Sequence, residues 1–154
     1  MSQELFRRQI AGLTAPIAGR SLDAALDAWL NAEHGAASDT YRRLKQACET
    51  GVAEGWLANR EAGGIRYGRV FKPAPDLHGF SVDVVDMTDI AGPHHVHPNG
   101  EIDLVMPQGG DATFDGRPAG WVVMPPGSAH RPTVSAGRAL VLYLLPQGAI
   151  EFTR

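Results

Sequence analysis

The feature that most limits what this chain can become is how often its C-terminal part is interrupted. Beyond Gly63-Gly64, glycine, proline, asparagine and aspartate break the sequence every few residues. The pieces between them are short and rich in alternating or β-branched apolar residues. Ile65, Tyr67, Arg69 and Phe71 alternate with Arg66, Gly68 and Val70, and 80–87 is rich in valine. Further short pieces fall at 94–97, 101–106, 112–114, 121–124, 131–134, 139–145 and 150–152. Many short strands with turn signals at this spacing predict an antiparallel sandwich or barrel. Fitting them into about 90 residues favours a compact jelly roll over residues 64–154.

Before residue 60 the period changes. Leu5, Phe6, Ile10 and Leu13 form one apolar stripe at helical spacing. Ser21 suits an N-cap for a second helix carrying Leu22, Ala25, Leu26, Trp29 and Leu30, with Gly35 at its end. Ser38 or Asp39 caps a third, whose stripe is Tyr41, Leu44, Cys48, Val52 and Trp56. Pro16 and Gly19 separate the first two. Isolated helices of this length are marginal in water. The expectation is therefore one domain over 1–154, with helices over 1–60 packed on the barrel or helping to form a dimer.

Composition removes several classes of function. With 154 residues there is no room for a second full domain. A net charge of −3 and no basic run argue against nucleic acid and a membrane surface. The longest apolar run, 139–145, is too short to span a bilayer, and the first residues carry no apolar signal core. A single cysteine, Cys48, forbids an intramolecular disulfide. A cytoplasmic protein is expected.

The chemistry concentrates in two segments. In His94-His95-Val96-His97-Pro98-Asn99-Gly100-Glu101, strand parity points His95 and His97 the same way and His94 the other, toward the barrel rim. The Pro-Asn-Gly turn then re-enters the barrel and can bring Glu101 back to the two imidazoles. In Pro125-Pro126-Gly127-Ser128-Ala129-His130 a tight turn leads into His130, expected to open the next strand and supply a fourth ligand. Three imidazoles and a carboxylate suit Fe, Mn, Zn, Ni or Cu. His34 and His78 stand alone and read as structural or solvated.

These segments resemble the two motifs of the cupin superfamily. His95, His97 and Glu101 match the first, and Pro125, Gly127 and His130 the second. Gly109 stands one place late, Gly92 is out of register, and Val134 replaces a frequent asparagine; these shape turns and wall rather than ligands. At finer grain, Glu101-Ile102-Asp103-Leu104-Val105-Met106-Pro107, Gly120-Trp121, the stretch 126–134 and the stretch 139–146 resemble the 4-hydroxylaminobenzoate lyase family. That resemblance implies conversion of 4-hydroxylaminobenzoate to 3,4-dihydroxybenzoate and ammonium in nitroaromatic degradation, at a divalent metal site.

On that resemblance Glu101, Asp103 and His130 are the expected catalytic residues. Asp103 shares the face of Glu101, while Ile102, Leu104 and Met106 share the other; its alternative is a salt bridge or rim position. Arg131 and Arg66 are candidates for the substrate carboxylate, with Arg69 and Lys72 as rivals, and parity counts against Arg131. Tyr143 and Trp121 are candidates to stack on an aromatic ring. Two other readings stay open: a metal-dependent cupin oxygenase acting on a small aromatic or thiol substrate, and a non-enzymatic small-molecule-binding cupin.

Overall fold

The computed structural model describes residues 2–153. Three helices come first: α1 (Gln3–Ile17), α2 (Ala24–His34) and α3 (Asp39–Glu54). Ser2, Asp23 and Ser38 cap them by accepting from the backbone N–H groups of Leu5, Leu26 and Tyr41. The cap of α2 is thus Asp23 rather than Ser21. A carboxylate serves as well as a hydroxyl, and starting there turns Leu26 and Leu30 into the core. Pro16 lies in the last turn of α1, and Trp56 falls beyond Gly55, the left-handed cap of α3.

Ten strands follow: β1 (Arg60–Ala62), β2 (Ile65–Phe71), β3 (Phe80–Ala91), β4 (His95–His97), β5 (Glu101–Pro107), β6 (Thr113–Phe114), β7 (Gly120–Met124), β8 (Ser128–His130), β9 (Thr133–Pro146) and β10 (Glu151–Phe152). One sheet runs β1-β2-β3-β9-β5-β7, with β6 also on β9; the other runs β10-β4-β8. Every pairing is antiparallel. The fold is mainly β, two antiparallel sheets with an N-terminal helical layer.

Strand parity divides the large sheet into two apolar faces. Ile102, Leu104 and Met106 of β5 and Leu140, Leu142 and Leu144 of β9 face outward, where Phe6, Ile10, Leu26, Leu30 and Leu44 cover them. Val105, Val141 and Tyr143 face inward, with Val85, Met87, Phe114 and Val122. Because both faces are covered, 139–145 reads as an unbroken apolar run rather than an alternation. Glu101 and Asp103 share the inward parity of Val105 and are fully buried.

Gly63-Gly64 marks no boundary between helices and barrel. With φ of +59° and +86°, it is the two-residue turn of the β1–β2 hairpin, and Ala62 pairs with Ile65 across it.

The free edge of the large sheet is closed by side chains of α2. Asn31 Nδ2 donates to the carbonyl of Trp121 and its Oδ1 accepts from the Trp121 N–H, both at 2.8 Å. One turn earlier, Asp27 accepts from the N–H of Val123 at 2.9 Å. A helix thereby supplies hydrogen bonds that a neighbouring strand would make. Arg117 also donates to the Trp121 carbonyl, so Asn31→Leu leaves chiefly the Trp121 N–H unpaired. The expected cost is about 1–3 kcal/mol in urea unfolding; an unchanged midpoint would show that the edge contacts contribute nothing.

Candidate metal centre

The site forms where the short sheet meets the start of β5. β4 and β8 run side by side with His95 directly opposite His130 and His97 opposite Ser128. Cross-strand partners project from the same face, so three imidazoles gather there. His130 closes β8 rather than opening the following strand, which starts at Thr133. The chain reverses after His97 through Gly100, whose φ is +85°. A Cβ at Gly100 would stand 2.8 Å from the carbonyl oxygen of Met124, so the turn accepts no side chain. Glu101 then enters the cluster from β5, its Oε2 3.2 Å from Nε2 of His97 and 3.8 Å from Nε2 of His130.

The outer nitrogens of the imidazoles are each held. His95 Nδ1 lies 3.2 Å from the carbonyl of Pro93, His97 Nδ1 3.0 Å from Ser128 Oγ, and His130 Nδ1 2.5 Å from Asp115 Oδ2. A carbonyl and a carboxylate accept only. His95 and His130 therefore carry a proton on Nδ1, and in a neutral ring Nε2 is then a lone pair. Those two Nε2 atoms face each other at 3.1 Å. Two Nε2 lone pairs in this position could share one cation. Burial first, with help from the neighbouring imidazoles, lowers the pKa of His95 to about 4, although Glu101 pulls it upward. The ring is neutral and free to coordinate near pH 7.

The remaining atoms agree. His97 Nε2 and both Glu101 oxygens are buried without a hydrogen-bond partner. An unpartnered buried carboxylate costs several kcal/mol. The four donor atoms all lie within 4.8 Å of one another. Donors bound at about 2.0–2.2 Å to one ion lie within about 4.4 Å of each other. The donor set thus fits a divalent metal after side-chain movements of a few tenths of an ångström.

Asp103 lies on the same face, one alternation along β5, and both its oxygens also lack partners. Burial, followed by the charge of Glu101, pushes its carboxyl well above the usual carboxylate range. It is neither at the rim nor in a salt bridge. Tyr143 stands opposite both Asp103 on β5 and Asp83 on β3, and burial raises its phenol well above the usual value.

His95 and Tyr143 line a cavity of about 740 Å³ whose other walls include Ile65, Tyr67, Val85 and Phe152. Neither Arg66 nor Arg131 is among its lining residues, and of the four clustered donors only His95 is. Arg66 has the parity opposite to Tyr67, and Arg131 reaches back to the carbonyl of Gly92 at 3.4 Å. Lys72 is exposed and also absent from the lining. Arg69 lines the cavity but is held in a two-point ion pair by Asp83, at 2.8 and 3.2 Å. Trp121 packs on the helical face, its indole N–H donating to the His34 carbonyl. His34 and His78 bond to Thr40 and Thr14, and half-buried His94 bonds to Thr153. Sequence reasoning does not single out Asp115, Ser128 or Arg60. Asp115 had a visible turn signal, Asp-Gly before Arg117, but nothing local marks a turn residue as the partner of a ligand.

Comparison with known proteins identifies a family. Residues 8–152 match the family model described as PnbB: 4-hydroxylaminobenzoate lyase. A 4-hydroxylaminobenzoate lyase of Pseudomonas putida is 32% identical over 155 residues, covering 90% of this chain and 88% of that protein. One of the same description from Nocardioides sp. (strain LMS-CY) is 35% identical over 136 residues, covering 82% and 80%. Among solved structures, an uncharacterized conserved protein with a double-stranded β-helix domain from Klebsiella pneumoniae aligns with a TM-score of 0.47 at 18% identity, covering 66% of this chain and 93% of that one. An oxalate oxidase aligns at 0.45 and 23% identity, covering 60% and 57%.

Proposed function

Because this chain belongs to the 4-hydroxylaminobenzoate lyase family, we propose that it converts 4-hydroxylaminobenzoate and water to 3,4-dihydroxybenzoate and ammonia, as a step in nitroaromatic degradation. The observation that carries this reading is the pair of Nε2 atoms of His95 and His130 facing each other at 3.1 Å beside a buried, unpartnered Glu101. His95, His97, Glu101 and His130 would hold a divalent metal. When bound it acts as a Lewis acid, drawing charge from oxygen and lowering the pKa of water at the site. Asp115, Ser128 and the Pro93 carbonyl fix the ring orientations, which keeps the ligand set ready.

The remaining steps belong to the chain and its substrate. The apolar wall of the cavity receives the ring. Asp103, whose carboxyl burial and the charge of Glu101 push well above the usual carboxylate range, would give its proton to the hydroxyl leaving nitrogen. Breaking the N–O bond takes its electron pair away with the oxygen and leaves the ring electron-poor. Water then attacks the ring carbon beside the nitrogen, and a second water hydrolyses the resulting imine. Ammonia departs, and loss of a ring proton restores aromaticity. One water leaves and two enter, so one is consumed and no external oxidant or reductant takes part.

Isotope labelling tests this route. Under anaerobic conditions in ¹⁸O-water, both ring hydroxyl oxygens of the product are expected to carry the label. A requirement for dioxygen would replace the lyase with an oxygenase. Asp103→Asn keeps the shape and removes the proton. Its turnover is expected to fall by at least about 100-fold with metal content unchanged; full activity would return Asp103 to a structural role.

A further inference from the structure

Resting on the lyase reading, we infer that Arg60 binds the substrate carboxylate at the cavity mouth and so sets the preference for a para-substituted benzoate. Arg60 and His95 line the same cavity, whose walls between them are mostly apolar. A flat ring bearing a carboxylate at one end and the reacting nitrogen at the other needs a cation at the end away from the metal ligands. The cavity lining contains two arginines, Arg60 and Arg69. Arg69 is already engaged through Nε and Nη2, by the two oxygens of Asp83 and the carbonyl of Gly148. Among the described residues, Arg60 has no ion pair.

The hairpin places it. The Gly63-Gly64 turn fixes the register that sets Arg60 opposite Tyr67, and directly opposed residues share a face. Arg60 and Tyr67, both exposed and both lining the cavity, therefore share a face, one offering a planar two-point donor and the other a flat apolar side. β1 pairs with β2 alone and is exposed throughout, so changing Arg60 leaves the core intact.

The test compares Arg60→Gln and Arg60→Lys with the parent protein, loaded with metal, on 4-hydroxylaminobenzoate and on N-phenylhydroxylamine, which lacks the carboxylate. Arg60→Gln is expected to raise KM for the carboxylate substrate by about 10- to 100-fold, the loss of a charged hydrogen-bonded contact, with a much smaller change in kcat. Turnover of N-phenylhydroxylamine should be the same in both proteins, and Arg60→Lys should recover part of the loss. An unchanged KM in Arg60→Gln, or an equal loss on both substrates, would overturn the assignment. A second arm measures 4-hydroxybenzoate binding by calorimetry. If the parent protein shows no turnover of 4-hydroxylaminobenzoate, the lyase reading fails, and this arm alone decides Arg60. Binding at least tenfold weaker in Arg60→Gln supports the carboxylate site; equal binding, or none to the parent protein, overturns it.

Discussion

His130→Ala is expected to lower ammonia release by more than about 100-fold while the barrel stays folded. Residues that merely orient a metal ligand typically cost 10- to 100-fold in metal affinity or activity when removed, and His130 is itself one of the four donors. Its loss also deprives Asp115 of its imidazole partner, but Asp115 keeps the N–H of Thr133 at 2.9 Å. The inward apolar cluster of Val85, Val105, Val141 and Tyr143 does not depend on His130, so circular dichroism should be unchanged. Elemental analysis should find the metal content reduced in step with activity. A fully active variant with bound metal would remove His130 from the ligand set.

Trp121→Ala should have the largest effect on stability, about 3–5 kcal/mol. Its side chain is 1% exposed, lies between β7 and the helices, and donates to the carbonyl of His34, the last residue of α2. Truncation opens a cavity and leaves that carbonyl without its donor. Against a typical total of about 5–15 kcal/mol, the midpoint of thermal unfolding should fall by roughly 6–20 °C. Since α1, α2 and α3 share one apolar cluster with β5 and β9, we infer that helices and barrel unfold together. The helical and sheet signals of the variant should then move down as one transition. Two separated transitions, with the helical one unmoved, would make the N-terminal segment an independent unit.

Some of this could be read directly from residues and some could not. His95 and His97 were legible because a strand has period two, and the parity of β5 placed Asp103 with Glu101 correctly. The helix stripes were legible for the same kind of reason, a fixed period with caps at the ends. What escaped depends on pairing between distant segments. Arg60-Glu61-Ala62 has poor strand propensity, and its pairing with β2 comes from the glycine turn rather than from its own side chains. Arg60 therefore carries no local signal, while Arg66 and Arg131 stand in segments that read as strands but lie outside the cavity lining. Likewise Asn31 looks like an ordinary helix residue until β7 is seen beside it. Asp115 lies 15 residues from His130, and its turn closes onto the ligand only in three dimensions.

The most direct test of a metal-dependent lyase is to measure ammonium and 3,4-dihydroxybenzoate together, without oxygen, as metal is returned to chelator-treated protein. Equimolar products should appear at a rate that rises in proportion to bound metal and levels off at one ion per chain. Release at the full rate from metal-free protein would contradict the account, as would metal-saturated protein that releases no ammonium.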